Sequence, residues 1–550
     1  MNKKRFFSVL MWLIFFAFTT LACNLTEIGG DNIPNNATVV TVWANSSLQP
    51  WLTEAAEAFN DSKTETAVGN PVYILTTYIE AGQAISDLNA GAFPPDMWIP
   101  DDMVWVNTLA DQGNMQFQGD CVSTAESPLV IGMWREAAES LGWPGLPLGW
   151  LDIGSLAADP NAWAYYSGGL FGDTLRLSHT HPGLSGTGAS TLLALVHAAE
   201  SKTEPVTAVD IQKPIVQASV GAFESAVAFF GNSTLNLGKT MAERGSTYLG
   251  AAVMYESTVV TYGGGQIVPI YPLEGTFVAT HPACINQSTD TEMTEGAKLF
   301  RNYLLSEVGQ QLAVTNGLRP VNAAVAPAPP LDEQHGVDLT QPEIIFTPPS
   351  VDALYAIQEL WQSARKDVNL VMLLDTSGSM RGDKVDSMKE AAVQFVEQMG
   401  DDDTITVITF STAPSILIPP TKVGEARNKI INAIQQINAG GDTALFDAIS
   451  QGAAVLGGAL RADATNVMVV LTDGVDTSSI RPFNDQLIQD ATQNNTTVFT
   501  IAYGSDADED VLQNLAFRAN GNYYQGDAAS IAAIYDEMSA AFGGSVGVGR

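Results

Sequence analysis

The apolar run Val368–Leu374 ends directly in Asp375-Thr376-Ser377-Gly378-Ser379, and a helix-period segment with Val385, Met388, Ala392, Phe395, Val396 and Met399 follows. An apolar run of strand length is buried on both faces, and an amphipathic helix behind it supplies one cover. The pattern repeats. Strand-like Ile405–Phe410, Val467–Leu471 and Val498–Tyr503 alternate with helical patterns over Val423–Ile437, Ala444–Leu460, 484–493, 509–518 and 531–541. Such alternation predicts a doubly wound parallel sheet, with ligands beyond the carboxyl ends of its strands.

Two acidic motifs fall at those ends. Asp375, Ser377 and Ser379 alternate along one loop, and Thr472-Asp473-Gly474 closes another strand. These residues offer hard oxygen donors, which suit Mg²⁺, Mn²⁺ or Ca²⁺ rather than zinc. Each motif alone is also an ordinary turn or helix cap. With Gly440-Gly441-Asp442-Thr443-Ala444-Leu445 between them, residues 367–543 resemble the von Willebrand factor type A (VWA) domain. The resemblance implies a metal-ion-dependent adhesion site (MIDAS) built from Asp375, Ser377, Ser379, Thr443 and Asp473. It also implies a divalent cation, Mg²⁺ first, and a protein partner that offers a carboxylate to it. Asp442 reads as loop chemistry.

The first half is a second α/β wind. Strands Val39–Ala44 and Val72–Thr77 alternate with helices 48–60, 83–90 and 102–111. Strand Leu175–Ser178 runs through His179-Thr180-His181 into the loop Leu184-Ser185-Gly186-Thr187-Gly188-Ala189-Ser190, and helix Thr191–Ala199 follows. A Gly/Ser-rich loop opening a helix offers backbone N–H groups to an anion. Four stretches carry a likeness: Val39–Ala44 with its helix; Pro95-Asp96-Met97-Trp98; Ala252–Ser257 with Ile270–Thr276; and Tyr303–Ser306 through Gly309-Gln310 to Gly317–Pro320. On these, residues 38–365 resemble an extracellular solute-binding protein of bacterial ABC importers. The resemblance implies a periplasmic-binding-protein-like module of two α/β lobes closing over a small-molecule solute. Leu146–Ile153 and Gly275–Thr280 are then the candidate lobe crossings. Trp43, Asn45, Asp96, Trp98, Ser185, Gly186, Thr187, Tyr255 and Glu256 are candidate cleft residues. Plainer readings stand beside them: Trp98 and His197 as core, Ser185–Ser190 as a helix cap, His179 and His181 as loop-edge residues.

Residues 320–349 hold seven of the 27 prolines and read as an extended connection, followed by a helix over 351–365. Residues 544–550 are a tail. At the other end, Lys3, Lys4 and Arg5 precede the uncharged run Phe6–Ala22 and then Cys23. This order predicts a signal peptide over 1–22 and a tether over 23–37. Thr20-Leu21-Ala22-Cys23 resembles a lipobox, which implies lipidation at Cys23 and an exported chain anchored to the cell membrane. Cys121 and Cys284 remain, either as a disulfide, which an exported compartment permits, or as two buried thiols.

Composition narrows the function. With 60 acids against 25 bases the formal charge is −35, which excludes generic nucleic-acid binding. No nucleophile–base pair is placed, and Thr187 stands where a hydrolase elbow needs Gly. The expectation is a non-enzymatic cell-envelope binding protein that uses its adhesion site on a protein partner, coupled to solute capture. The alternative is the receptor of an ABC-type importer with an accessory VWA docking domain.

Overall fold

The computed structural model describes residues 33–459, 461, 464–544 and 548, so the expected signal peptide and Cys23 lie outside the described residues. Three sheets organise the chain. The first runs in the order Val72–Tyr78, Thr38–Ala44, Met97–Ile99, Pro282–Ile285, Cys121–Ser123. The second runs Val278–Ala279, Ser127–Trp134, Ala251–Tyr255, Leu177–Thr180, Val227–Gly231, with Ile267–Ile270 pairing to Ser127–Trp134. These are the two lobes of a mixed α/β, periplasmic-binding-protein-like module.

The chain passes between lobes at Thr124–Glu126 and at Thr280–His281, and an isolated bridge joins Glu126 to Arg319 beside them. The crossing expected at Gly275–Thr280 therefore falls at its last residue. The one expected at Leu146–Ile153 does not exist: that segment enters helix Trp150–Ala158 of the second lobe, where Trp150 and Ile153 are fully buried. An apolar run reads alike as strand or buried helix when it is this short. Cys121 and Cys284 are directly opposed in the first sheet and form a disulfide.

The third sheet runs Pro414–Lys422, Thr404–Phe410, Asp367–Asp375, Ala464–Thr472, Thr497–Tyr503, Tyr523–Gly526. It is parallel except at one edge, where Pro414–Lys422 pairs antiparallel with Thr404–Phe410. Prolines 414, 419 and 420 fit an edge, where a missing N–H costs least. Its helices bury one apolar face each; Asp383–Gln398 buries Val385, Met388, Ala392, Phe395 and Val396 against the strands.

The modules are packed together. Helix Val351–Ala364 lies against helices of the second lobe and buries Trp361, whose Nε1–H donates to Glu224. Arg365, at its end, pairs with Asp403 of the third sheet's module, and both are buried. The last helix, Ile531–Ala541, packs on strand Val227–Gly231.

Candidate metal site and interlobe cleft

In each of the three sheets a strand has its sequence successor on one side and a later strand on the other. The loops leaving such strands diverge and open a crevice. Asn45 follows Thr38–Ala44, the loop 181–185 follows Leu177–Thr180, and Asp375 ends Asp367–Asp375.

At the third sheet, Asp375 is fully buried. Its Oδ1 accepts from the Ser377 N–H at 2.8 Å and its Oδ2 from Thr472 Oγ1 at 2.6 Å. Ser377 Oγ lies 3.0 Å from Ser379 Oγ, which donates to Asp473 Oδ1 at 2.6 Å. Thr443 is brought in by its own loop: Gly378 N–H donates to Gly441 O at 2.9 Å, and Thr477 N–H to Thr443 O at 2.8 Å. A Cβ built on Gly474 would stand 3.9 Å from Thr443 Oγ1 and 4.0 Å from Ser379 Oγ, so both hydroxyls border one small space. All five expected residues converge. Burial, aided by the charge of Asp473, raises the pKa of Asp375. Lys384 Nζ sits 2.6 Å from Asp473 Oδ2 and was not anticipated. Two buried carboxylates and three hydroxyls fit a hard divalent cation. Among the described residues no group of three or more His, Cys, Asp or Glu could hold a metal ion, and this candidate set has only two carboxylates beside its hydroxyls. Asp442 is exposed, on the loop as expected.

The cleft brings together Asn45, Ser185, Gly186, Thr187 and Tyr255, all buried. It adds two acids that the sequence reading missed. Glu80 leaves Val72–Tyr78, and Asp101 leaves Met97–Ile99. Asn45 Nδ2 donates to Glu80 Oε2 at 3.3 Å and to Asp101 Oδ1 at 3.0 Å, and so links them. Ser46 Oγ donates to Glu80 as well. From the second lobe, Tyr255 OH donates to Asp101 Oδ1 at 2.6 Å and the Thr234 N–H to Glu80 Oε1 at 3.3 Å. Burial raises the pKa of both acids, and the charge of Glu80 raises that of Asp101 further.

Four expected cleft residues lie elsewhere. Asp96 accepts from the N–H and hydroxyl of Thr41 and from Thr289, tying the first lobe together. Trp98 is fully buried against Phe117, and Trp43 packs at the edge of the same cluster. Glu256 is held by Arg319, Nε to Oε1 at 2.8 Å and Nη2 to Oε2 at 2.6 Å. Adjacent strand residues point to opposite faces, so nearness in sequence to a strand end does not give the cleft side. The helix start at Gly186 also departs from expectation: it faces Asp101, whose Cγ lies 2.4 Å from where a Gly186 Cβ would be. The Asp101 carboxylate thus packs beside the start of this helix. His179 and His181 diverge, to Glu224 at 2.8 Å and to the Gly544 carbonyl at 2.9 Å, while His197 stacks on Phe346 in the core.

Comparison with known proteins agrees with the fold and its two modules. The family model for bacterial extracellular solute-binding proteins matches residues 40–319, and that for the von Willebrand factor type A domain matches 369–537. The chain belongs to the bacterial extracellular solute-binding protein family and carries a VWA domain behind it. Among curated relatives, an uncharacterized protein of Synechocystis is 30% identical over 160 residues, 29% of this chain and 37% of its own length. Inter-alpha-trypsin inhibitor heavy chain H4 of Sus scrofa is 28% identical over 178 residues, 30% of this chain and 19% of its own. The chain thus spans well under half of these relatives. Among solved structures, the periplasmic binding protein AfuA of Actinobacillus pleuropneumoniae aligns at 13% identity and a TM-score of 0.42, over 60% of this chain and 96% of its own.

Proposed function

We propose that this chain is a non-enzymatic, exported binding protein whose VWA module holds a divalent cation and, through it, a carboxylate of a protein partner. The observation that carries this is the convergence of Asp375, Ser377, Ser379, Thr443 and Asp473 from three loops onto one small space. Mg²⁺ favours six oxygen ligands, more than these side chains supply, which leaves a position for a partner's carboxylate. A strongly acidic protein thereby gains a local positive point for an acidic surface. Asp375 and Asp473 supply the charge that retains the ion; the hydroxyls complete its shell. Cys23 is the proposed lipid attachment point.

The matched solute-binding family supports a second activity in the same chain: capture of a small molecule by residues 38–365, as the receptor of an ABC-type importer with the VWA module as its docking part. The test of the first reading is a Mn²⁺ titration and a pull-down of envelope proteins with the full chain. Asp375→Ala abolishes metal uptake and chelator-sensitive capture. Capture that is unchanged in that variant and insensitive to chelator overturns the reading.

A further inference from the structure

Between the lobes and the VWA module lies a chamber of about 790 Å³, walled by Glu80 and Gln83 of the first lobe, Asn236 of the second, and Gln394, Asp536 and Glu537 of the VWA helices. That volume lies in the range of small-molecule sites. Among its described lining residues there are three acids and no Lys, Arg or His. The chamber leads to Glu80, and Asn45 joins Glu80 to Asp101 behind it.

The pair behind the chamber has an unusual balance. Both carboxylates are buried, and every side chain that hydrogen-bonds to them is neutral: Asn45, Ser46, Tyr255 and Ser185. Asp101 Oδ2 is buried with no hydrogen-bond partner among the described residues. A second, small cavity of about 20 Å³ lies beside Asp101 and is bordered by Asp102, Ser190 and Tyr255. Buried carboxylates ordinarily come with a cation or full hydrogen bonding, because an uncompensated one is costly. The N–H at the Thr234 helix start donates to Glu80 and offsets part of its charge, and the Gly186 helix start packs beside Asp101. An incoming anion therefore meets a carboxylate beside each of these helix starts.

We propose that the interlobe cleft receives a positively charged solute, an ammonium group or a metal ion, which enters through the acidic chamber and neutralises Glu80 and Asp101. This rests on the solute-capture reading and is independent of the adhesion site. Asn45 and Tyr255 hold the two carboxylates in place, and Asp101 Oδ2 supplies a free acceptor.

The test uses the full chain carrying Asp375→Ala, so that the VWA metal response is removed. Melting temperature is followed in chelated buffer against CaCl₂, MnCl₂, putrescine, ethylammonium chloride and sodium sulfate. At a hundred times its Kd, a bound cation raises the melting temperature by roughly 5 °C. Asp101→Asn and Glu80→Gln lose that rise, yet melt close to their parent without probe, because each amide is nearly isosteric with the carboxyl it replaces. The metal and ammonium arms identify which source of charge the cleft takes. If Asp101→Asn does not fold, Glu80→Gln, at the chamber wall, carries the same reading. A rise produced by sulfate, a rise that survives both substitutions, or no rise with any cation overturns the proposal. Partner capture that survives Asp375→Ala and chelator, with the solute response intact, would instead count against the adhesion-site reading alone.

Discussion

Single side chains decide both sites. Lys384 pairs with Asp473 and is partly exposed, so it competes with a cation for that carboxylate. Lys384→Met is expected to tighten Mn²⁺ binding several-fold, measured by calorimetry; an unchanged or weaker affinity would show that Lys384 only orients Asp473. His181 gives a pH prediction. Its Nδ1 accepts from the Gly183 N–H at 3.0 Å, so its proton sits on Nε2 and is donated to Gly544 O. Burial, helped by the charges of Arg365 and His179, lowers its pKa to about 3. In the unfolded chain the ring titrates near 6.5, so the unfolded state binds the extra proton first as pH falls. The contribution to stability is complete above about pH 6.5 and declines toward pH 3, by about 1.4 kcal/mol per pH unit within that window. Urea melts at pH 7.5 and 5 should show this slope, and His181→Gln should flatten it. The convergence of the five candidate metal-site residues was legible because three motifs in fixed order restrict the loops they come from. Glu80 and Asp101 were not, since each follows a strand without belonging to any motif.

The elements themselves were largely readable where apolar periodicity was long. Asp383–Gln398, Val351–Ala364 and Thr497–Tyr503 lie within two residues of expectation. The edge strand Pro414–Lys422 escaped notice because its prolines argue against a strand, and an edge excuses them. The start of helix Gly186–Glu200 was placed five residues late, since Gly and Ser there read as loop. At this scale the disulfide makes a prediction: Cys121→Ser with Cys284→Ser should destabilise the first lobe by about 2–5 kcal/mol in denaturant melts. A second concerns lobe closure. Gly82 donates its N–H to Leu184 O at 2.7 Å, and a Cβ there would lie 2.1 Å from Gly183 O. Gly82→Ala should hold the lobes apart, and X-ray scattering should show a larger radius of gyration than the parent's with the VWA fold retained by circular dichroism.

Across the whole molecule, the modules meet through buried polar contacts as well as apolar ones. Arg365 bonds to both oxygens of Asp403, at 3.2 and 3.1 Å, while Asp403 also accepts from the N–H groups of Val368 and Gly400. Arg244 reaches the carbonyl of Gly521 and lies over the rings of Tyr248 and Phe517. Removing one partner of a buried pair costs about 3–5 kcal/mol, so Arg365→Ala should split a single melting transition into two by calorimetry. The end of the chain is joined as well: Gly544 bonds to His181, and the Val548 N–H donates to Gly183 O at 2.7 Å. The sequence separation of the first of these bonds is 363 residues. In the exported chain proposed above, the N-terminal module leaves the membrane before that tail does, and domains generally fold as units. The loop at the cleft therefore waits for its last neighbours until the rest of the chain has crossed, and a chain cut short of Gly544 leaves His181 and Gly183 without those partners.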